Sequence, residues 1–105
     1  MRIYSIKEIS EKISSVAKNY EVEKVYVFGS YARGEATEDS DIDFYVEFSS
    51  PPGLRFCSFY SDVEECLEKN VDIITKDALF NPVTMKNNQL FIERILNERM
   101  CVYEQ

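Results

Sequence analysis

The sequence predicts a mixed α/β (α+β) fold, in which a small sheet of three or four strands is backed by helices. Three short segments, 25–28, 42–48 and 71–75, have the apolar runs or the two-residue alternation of strands. The segments around them repeat apolar residues at helical spacing. With 105 residues, 45% of them hydrophobic, the chain has the size and composition of one globular domain over 1–105.

Helical and extended segments alternate along the chain. Ser5 and Glu8 have the spacing of a capping box, which predicts that an amphipathic helix begins there. The elements predicted after it are a strand at 25–28, a helical turn and polar loop at 31–40, a strand at 42–48, a helix at 54–69, a strand at 71–75, an irregular segment at 76–87, a helix at 88–97 and a short strand at 100–103.

Two acids, Asp41 and Asp43, open the second strand. Side chains two apart on a strand share a face, so both acids point away from the apolar set that begins at Ile42. Paired carboxylates repel each other, and Mg2+ is commonly held by one or two carboxylates with substrate phosphates. The ordinary alternative is a solvated strand face. A calcium loop is excluded because Phe44 stands where that loop needs glycine.

A glycine turn, Gly29-Ser30, follows the first strand. Glycine lets a ligand approach the backbone closely, and the N–H groups that begin a helix favour anions, so the turn suits a phosphate. Arg33 either adds a charge-assisted bond to that phosphate or pairs with Glu35 or Glu38 at the surface. The sequence leaves both roles open.

The order Gly29-Ser30, ten residues, then Asp41-x-Asp43 resembles the signature of the DNA polymerase beta-like nucleotidyltransferase superfamily. The fuller pattern, Gly-Ser-x-Ala-Arg-Gly followed by Asp-Ser-Asp-Ile-Asp, is similar to the minimal nucleotidyltransferase (MNT) branch. The resemblance implies that Gly29 and Ser30 hold the triphosphate of ATP. It further implies that Asp41 and Asp43 bind Mg2+, as two ions, and that Asp72 completes the metal site and helps to deprotonate the attacking hydroxyl.

The strand directions follow if these residues serve one site. Ser30 ends the first strand and Asp41 opens the second, so we expect an antiparallel pair. Asp72 opens the third strand, which is reached through the predicted helix 54–69, the crossover that a parallel pair requires. Asp72 lies in an apolar strand and therefore needs a partner. Five aromatic residues are expected to be core rather than base-stacking residues, although any one of them could line the nucleotide pocket: Phe56, Phe59, Tyr60, Phe80 and Phe91.

The resemblance also implies a protein partner. MNT chains are typically encoded beside a HEPN-domain protein and act as antitoxins, in some pairs by transferring AMP to a tyrosine of the toxin. We therefore expect an ATP-dependent protein adenylyltransferase that forms a hetero-oligomer with a HEPN toxin. Two alternatives stay open: a non-catalytic HEPN-binding module, and a nucleotidyltransferase of the aminoglycoside type that needs a partner subunit for its small-molecule substrate.

Composition excludes several other classes. The net charge of −7 and the isoelectric point near 4.6 argue against a nucleic-acid partner, whose phosphates require Lys and Arg. Three cysteines without CxxC spacing, in a chain with no histidine, disfavour a disulfide framework and a zinc site. No apolar run approaches membrane-spanning length, so we expect a cytoplasmic protein.

Overall fold

The computed structural model describes residues 3–105, which form six helices and four strands. In chain order the elements are α1 (Ile6–Ala17), β1 (Val22–Phe28), α2 (Ser30–Arg33), β2 (Ile42–Phe48), α3 (Arg55–Leu67), β3 (Val71–Thr75), α4 (Lys76–Leu79), α5 (Pro82–Asn87), α6 (Gln89–Glu98) and β4 (Met100–Glu104). The predicted capping box is present, since Glu8 N donates to Ser5 Oγ and Ser5 N donates to Glu8 Oε1.

The four strands form one mixed sheet in the order β3-β2-β1-β4. β1 is antiparallel to both β2 and β4, whereas β2 and β3 are parallel and are joined through α3. The predicted fold class and strand directions are therefore confirmed. β1 begins three residues earlier than predicted, at Val22.

Helices α1 and α3 cover one face of the sheet. Ile9 and Ile13 of α1 pack with Phe59 and Val63 of α3, and all four side chains are almost fully buried. They meet the inward side chains of β1 and β2, such as Phe44, to form the larger core. Phe59 is the one aromatic residue of the predicted set that is completely buried.

The opposite face carries a second apolar cluster that the alternation of β2 does not predict. Tyr45 shares a face with Asp43, opposite the apolar set that begins at Ile42, yet it is fully buried. The residues of this cluster are Phe28, Tyr45, Leu79, Ile92 and Ile95. Leu79 belongs to α4, and Ile92 and Ile95 belong to α6, so helices that follow β3 cover this half of the face.

The prediction of an irregular segment at 76–87 is wrong, because α4 and α5 lie there. Thr75 caps α4, with its hydroxyl accepting a hydrogen bond from Ala78 N. Pro82 occupies the first position of α5, where its missing N–H costs nothing. Proline at that position begins a helix instead of interrupting one.

No helix within residues 3–105 is both long enough and apolar enough to span a membrane. This finding agrees with the hydropathy of the sequence.

Tyr31 provides a test of the core beneath α2. Its ring is buried, and its hydroxyl has no hydrogen-bond partner within residues 3–105. A buried hydroxyl without a partner keeps its desolvation cost, so we expect Tyr31→Phe to leave the free energy of unfolding unchanged or to raise it by up to about 1 kcal/mol. Urea denaturation measures the change. A loss above about 1 kcal/mol would show that the hydroxyl is bonded in solution.

Candidate active site

The turn between β1 and α2 brings the backbone against an acidic side chain. Gly29 has φ 74°, a conformation that favours glycine, and a Cβ at this position would collide with the Asp43 carboxylate. Both conditions exclude other residues. Gly29 therefore allows Asp43 to lie directly against the turn that carries Ser30.

Strand register places Asp43 at the centre of the site. Asp43 pairs with Phe28 across the antiparallel β1–β2 ladder and with Asp72 across the parallel β2–β3 ladder. Side chains in register share a face, so Asp43 and Asp72 are neighbours. Asp41 lies immediately before β2 and is exposed. The sheet thus brings Gly29, Asp43 and Asp72 together, with Asp41 at the rim.

The loop that leads to Asp41 is fastened to the body of the protein. Lys69, a buried basic residue, donates from Nζ to the carbonyl oxygen of Glu38 over 2.8 Å. Within the loop, Thr37 N donates to Ser40 Oγ over 2.9 Å. These bonds hold the chain in position just before the first acid.

The acids create a local excess of negative charge. Half-burial of Asp43, together with the facing Asp72 and the nearby Asp41, raises the pKa of its carboxyl to about 6, and Arg33 partly opposes this. A site that raises the pKa of a carboxyl in this way favours a proton or another cation. Raised carboxyl pKa values are also a frequent property of functional sites.

Asp72 was expected to need a partner because it lies in an apolar strand, and the burial which that expectation assumes is wrong. Its side chain is exposed because β3 is the edge strand of the sheet. Asp72 therefore has no burial penalty of its own that a partner must offset. Its connection to the site is its register with Asp43.

The donor set fits a hard divalent cation. Within residues 3–105, no three carboxylate or thiolate side chains converge closely enough to enclose a metal ion by themselves. Mg2+ does not need such a cage, because it keeps waters and uses one or two carboxylates with substrate phosphates. The adjacent carboxylates of Asp43 and Asp72, and the raised pKa of Asp43, match that pattern.

Two cavities meet at Asp43. The first, about 320 Å³, is lined by Phe28, Asp43, Tyr60, Asp72, Ile73, Ile74 and Phe91. The second, about 260 Å³, is lined by Phe28, Gly29, Ser30, Arg33, Asp43, Phe91, Arg94, Ile95 and Glu98. A larger cavity, about 600 Å³, lies at the far end of β3 between Phe48 and Lys76, and none of the predicted site residues lines it.

The sequence left two roles open for Arg33, phosphate binding and surface ion pairing, and the structure has features of both. Arg33 lines the second cavity beside Ser30, and it forms ion pairs with Glu35 over 2.8 Å and with Glu98 over 3.0 Å. Pairing with Glu35 matches the surface alternative. The pair with Glu98 connects α2 to α6, across 65 residues of sequence.

Three residues of α6 border the site: Phe91, Arg94 and Glu98. Neither Arg94 nor Glu98 was predicted there. Phe91 was expected to be core, but it is 46% exposed, with its ring against Phe28 at a centroid distance of 6.3 Å. Phe80 is also partly exposed, contrary to the prediction. Nothing local in the sequence marks α6 as part of the site, because its approach to β1 depends on the second apolar cluster.

The repulsion of Asp43 by the neighbouring carboxylates predicts that Asp43→Asn stabilises the metal-free protein. The pKa of Asp43 is raised on folding, so its favourable contribution is present at low pH and is lost as the pH rises through about 6. Because the side chain is half exposed, we expect a gain of only about 1 kcal/mol at pH 8, shrinking towards pH 4. Thermal unfolding at both pH values measures it.

Asp39→Asn is the matched control, since Asp39 is exposed in the preceding loop. It removes one negative charge and should change stability little. Equal stability of Asp43→Asn and the parent chain at pH 8 would contradict the electrostatic account of the site.

Comparison with known proteins gives the family of the chain. Residues 11–105 match the family model described as polymerase beta, nucleotidyltransferase. A Methanocaldococcus jannaschii protein, provisionally named a protein adenylyltransferase, is 46% identical over 87 residues, which cover 78% of this chain and 86% of that protein. Protein adenylyltransferase MntA of Thermococcus cleftensis is 36% identical over 84 residues, covering 75% and 85% respectively.

Solved structures show the same fold. One provisionally described as a minimal nucleotidyltransferase has a TM-score of 0.68 at 32% identity, covering 87% of this chain and 86% of that one. The MNT antitoxin in complex with a tri-AMPylated Shewanella oneidensis HEPN toxin gives a TM-score of 0.65 at 14% identity, covering 95% and 73%. On the family match and the sequence identities, the chain belongs to the polymerase beta nucleotidyltransferase family.

Proposed function

We propose that this chain is a Mg2+-dependent protein adenylyltransferase that transfers AMP from ATP to a tyrosine hydroxyl of a HEPN-domain toxin, and so acts as its antitoxin. The observation that carries the proposal is the position of Asp43, which lies against the Gly29-Ser30 turn on one side and in register with Asp72 on the other. A phosphate bound at the turn therefore lies next to the acids.

The nucleotide is oriented by the chain's own residues. Gly29 and Ser30, with Arg33, bind the phosphates of ATP, and the α-phosphorus faces the acids. The acceptor oxygen attacks that phosphorus, the bond from it to the bridging oxygen of the β-phosphate breaks, and pyrophosphate leaves. Asp72, exposed on the edge strand, is accessible to an acceptor from solvent and takes the hydroxyl proton.

Asp41, Asp43 and Asp72 are the residues that would hold Mg2+, as two ions. When bound, such ions neutralise charge on the attacking and leaving oxygens. Repulsion between the acids lowers the stability of the metal-free chain, and a bound cation would relieve that repulsion. Positioning and charge neutralisation supply most of the catalysis in phosphoryl-type transfer, so a chain without histidine is adequate.

The proposals of a tyrosine acceptor and of a HEPN partner rest on similarity to other proteins. Relatives that are 36% and 46% identical carry the name protein adenylyltransferase. Proteins of the same fold have been crystallised as toxin–antitoxin complexes, one of them with an AMPylated HEPN toxin. These names support a HEPN toxin as the protein that this chain modifies.

Co-expression with the protein encoded by the neighbouring gene tests the proposal. Intact mass spectrometry of that protein should show an increase of one or more AMP units, and peptide mapping should place each unit on a tyrosine. With Asp41→Asn, Asp43→Asn in the same chain the increase should disappear, while circular dichroism remains that of a folded protein.

Glu11→Gln, Glu23→Gln is the matched control, because it also removes two negative charges, both at exposed positions outside the site. It should leave the AMP addition intact. A partner that co-purifies without added AMP in all three cases would favour a non-catalytic binding module. AMP found only on a small-molecule acceptor would favour the aminoglycoside-type alternative.

A further inference from the structure

Helix α6 brings two charged side chains, Arg94 and Glu98, to the cavity beside Ser30. The Glu98 carboxylate pairs with two guanidinium groups: Oε2 lies 3.0 Å from Arg33 Nη1, and Oε1 lies 3.5 Å from Arg94 Nε. One carboxylate therefore joins the cations of α2 and α6. Neither Arg94 nor Glu98 has a role in the proposed chemistry so far.

We propose that Arg94 is a second binding residue for the β- and γ-phosphates of the nucleotide, and that Glu98 occupies this anion-binding position when nucleotide is absent. The inference rests on the proposed function, since it concerns the nucleotide site of the same reaction. It adds a residue of α6 to a set of proposed binding residues that otherwise lies between Gly29 and Asp72.

The arrangement of the cavities indicates which part of the nucleotide reaches Arg94. The reacting α-phosphorus must lie near Asp43 and Asp72, which line the first cavity. Arg33 and Arg94 line only the second cavity, on the Ser30 side of Asp43. The groups that extend from the α-phosphate into this second cavity are then the β- and γ-phosphates, which are also the charges that guanidinium groups bind best.

Charge balance supports the same conclusion. A triphosphate that approaches Asp43 and Asp72 is repelled by both carboxylates. Within the described residues, Arg33 and Arg94 are the only basic side chains that line either cavity. Arg33 is already shared between Glu35 and Glu98, so a second guanidinium is needed to offset the charge of a triphosphate.

The ion pairs can exchange partners at low cost. The Arg94 side chain is 68% exposed, and its pair with Glu98 is an i,i+4 contact of the kind that contributes little in water. A triphosphate carries several charges where Glu98 carries one. Both arginines can therefore turn from Glu98 to the phosphates without any rearrangement of the buried core.

The test is equilibrium binding to the full chain in Mg2+ buffer, by calorimetry, with ATP, AMP and inorganic tripolyphosphate as probes. Arg94→Ala should weaken ATP and tripolyphosphate by about 10-fold and leave AMP unchanged, because AMP lacks the phosphates that reach α6. Lys86→Ala is the matched control, since it removes an exposed cation from α5, and it should change none of the three affinities.

Glu98→Gln tests the exchange. It removes the competing anion and frees both arginines, so ATP should bind several-fold more tightly, whereas Glu93→Gln, an exposed acid on the same helix, should have no effect. Thermal melting checks that every variant is folded. If Glu98→Gln weakens ATP binding instead, Glu98 positions the arginines for the nucleotide, and the proposal that Glu98 gives way to the phosphates is wrong.

The outcomes separate this inference from the proposed function. If the parent chain binds ATP and transfers AMP, but Arg94→Ala binds ATP equally well or loses AMP affinity to the same extent, the inference fails and the proposed function stands. If the parent chain binds neither ATP nor tripolyphosphate, both fail.

Discussion

The Asp43 carboxylate lies between the Gly29 backbone and the Asp72 side chain, and the rest of the site depends on that placement. It requires a residue without a side chain at position 29, with positive φ. It also requires β2 to pair antiparallel with β1 and parallel with β3, which the α3 crossover makes possible. A change in any of these three features would separate the Gly29-Ser30 turn from the acids.

The position of Asp43 lowers the stability of the folded chain, although the proposed function requires it. Burial and two neighbouring carboxylates raise the pKa of Asp43, so the folded chain at neutral pH carries an unfavourable charge cluster. The surrounding cores supply the stability that tolerates it. Ile42, Phe44 and Val46 are buried on one face of β2, and on the other face Tyr45, two residues after Asp43, is completely buried in the second apolar cluster. A cation bound among the acids would neutralise the repulsion between their carboxylates, and that gain in free energy would favour its binding.

The sequence predicts the parts of the site that are local. Gly29, Ser30, Asp41 and Asp43 lie within fifteen residues of one another, and their spacing carries the family pattern. Asp72 is reachable because a helix between two strands implies a parallel pair. The exposure of Asp72 was not predictable in the same way, since it depends on β3 being the edge strand.

The second face of the sheet could not be predicted because its contacts are distant in sequence. The pairing of Arg33 with Glu98 and the ring contact of Phe28 with Phe91 depend on α6 returning across the sheet, 65 and 63 positions later. The residues that direct this return include Leu79, in the segment 76–87 that the sequence predicts to be irregular. Periodicity identifies a helix, but it does not identify the strand against which that helix packs.

The central claim is that Asp43 and Asp72 hold a divalent cation beside a triphosphate bound at Ser30. Crystals grown with Mn2+ and a non-hydrolysable ATP analogue, measured at the manganese absorption edge, test this most directly. The account predicts an anomalous peak bonded to both carboxylates and to the phosphates, with the outer phosphates beside Ser30 and Arg33. Manganese bound elsewhere, or phosphates in the 600 Å³ cavity at the far end of β3, would contradict it.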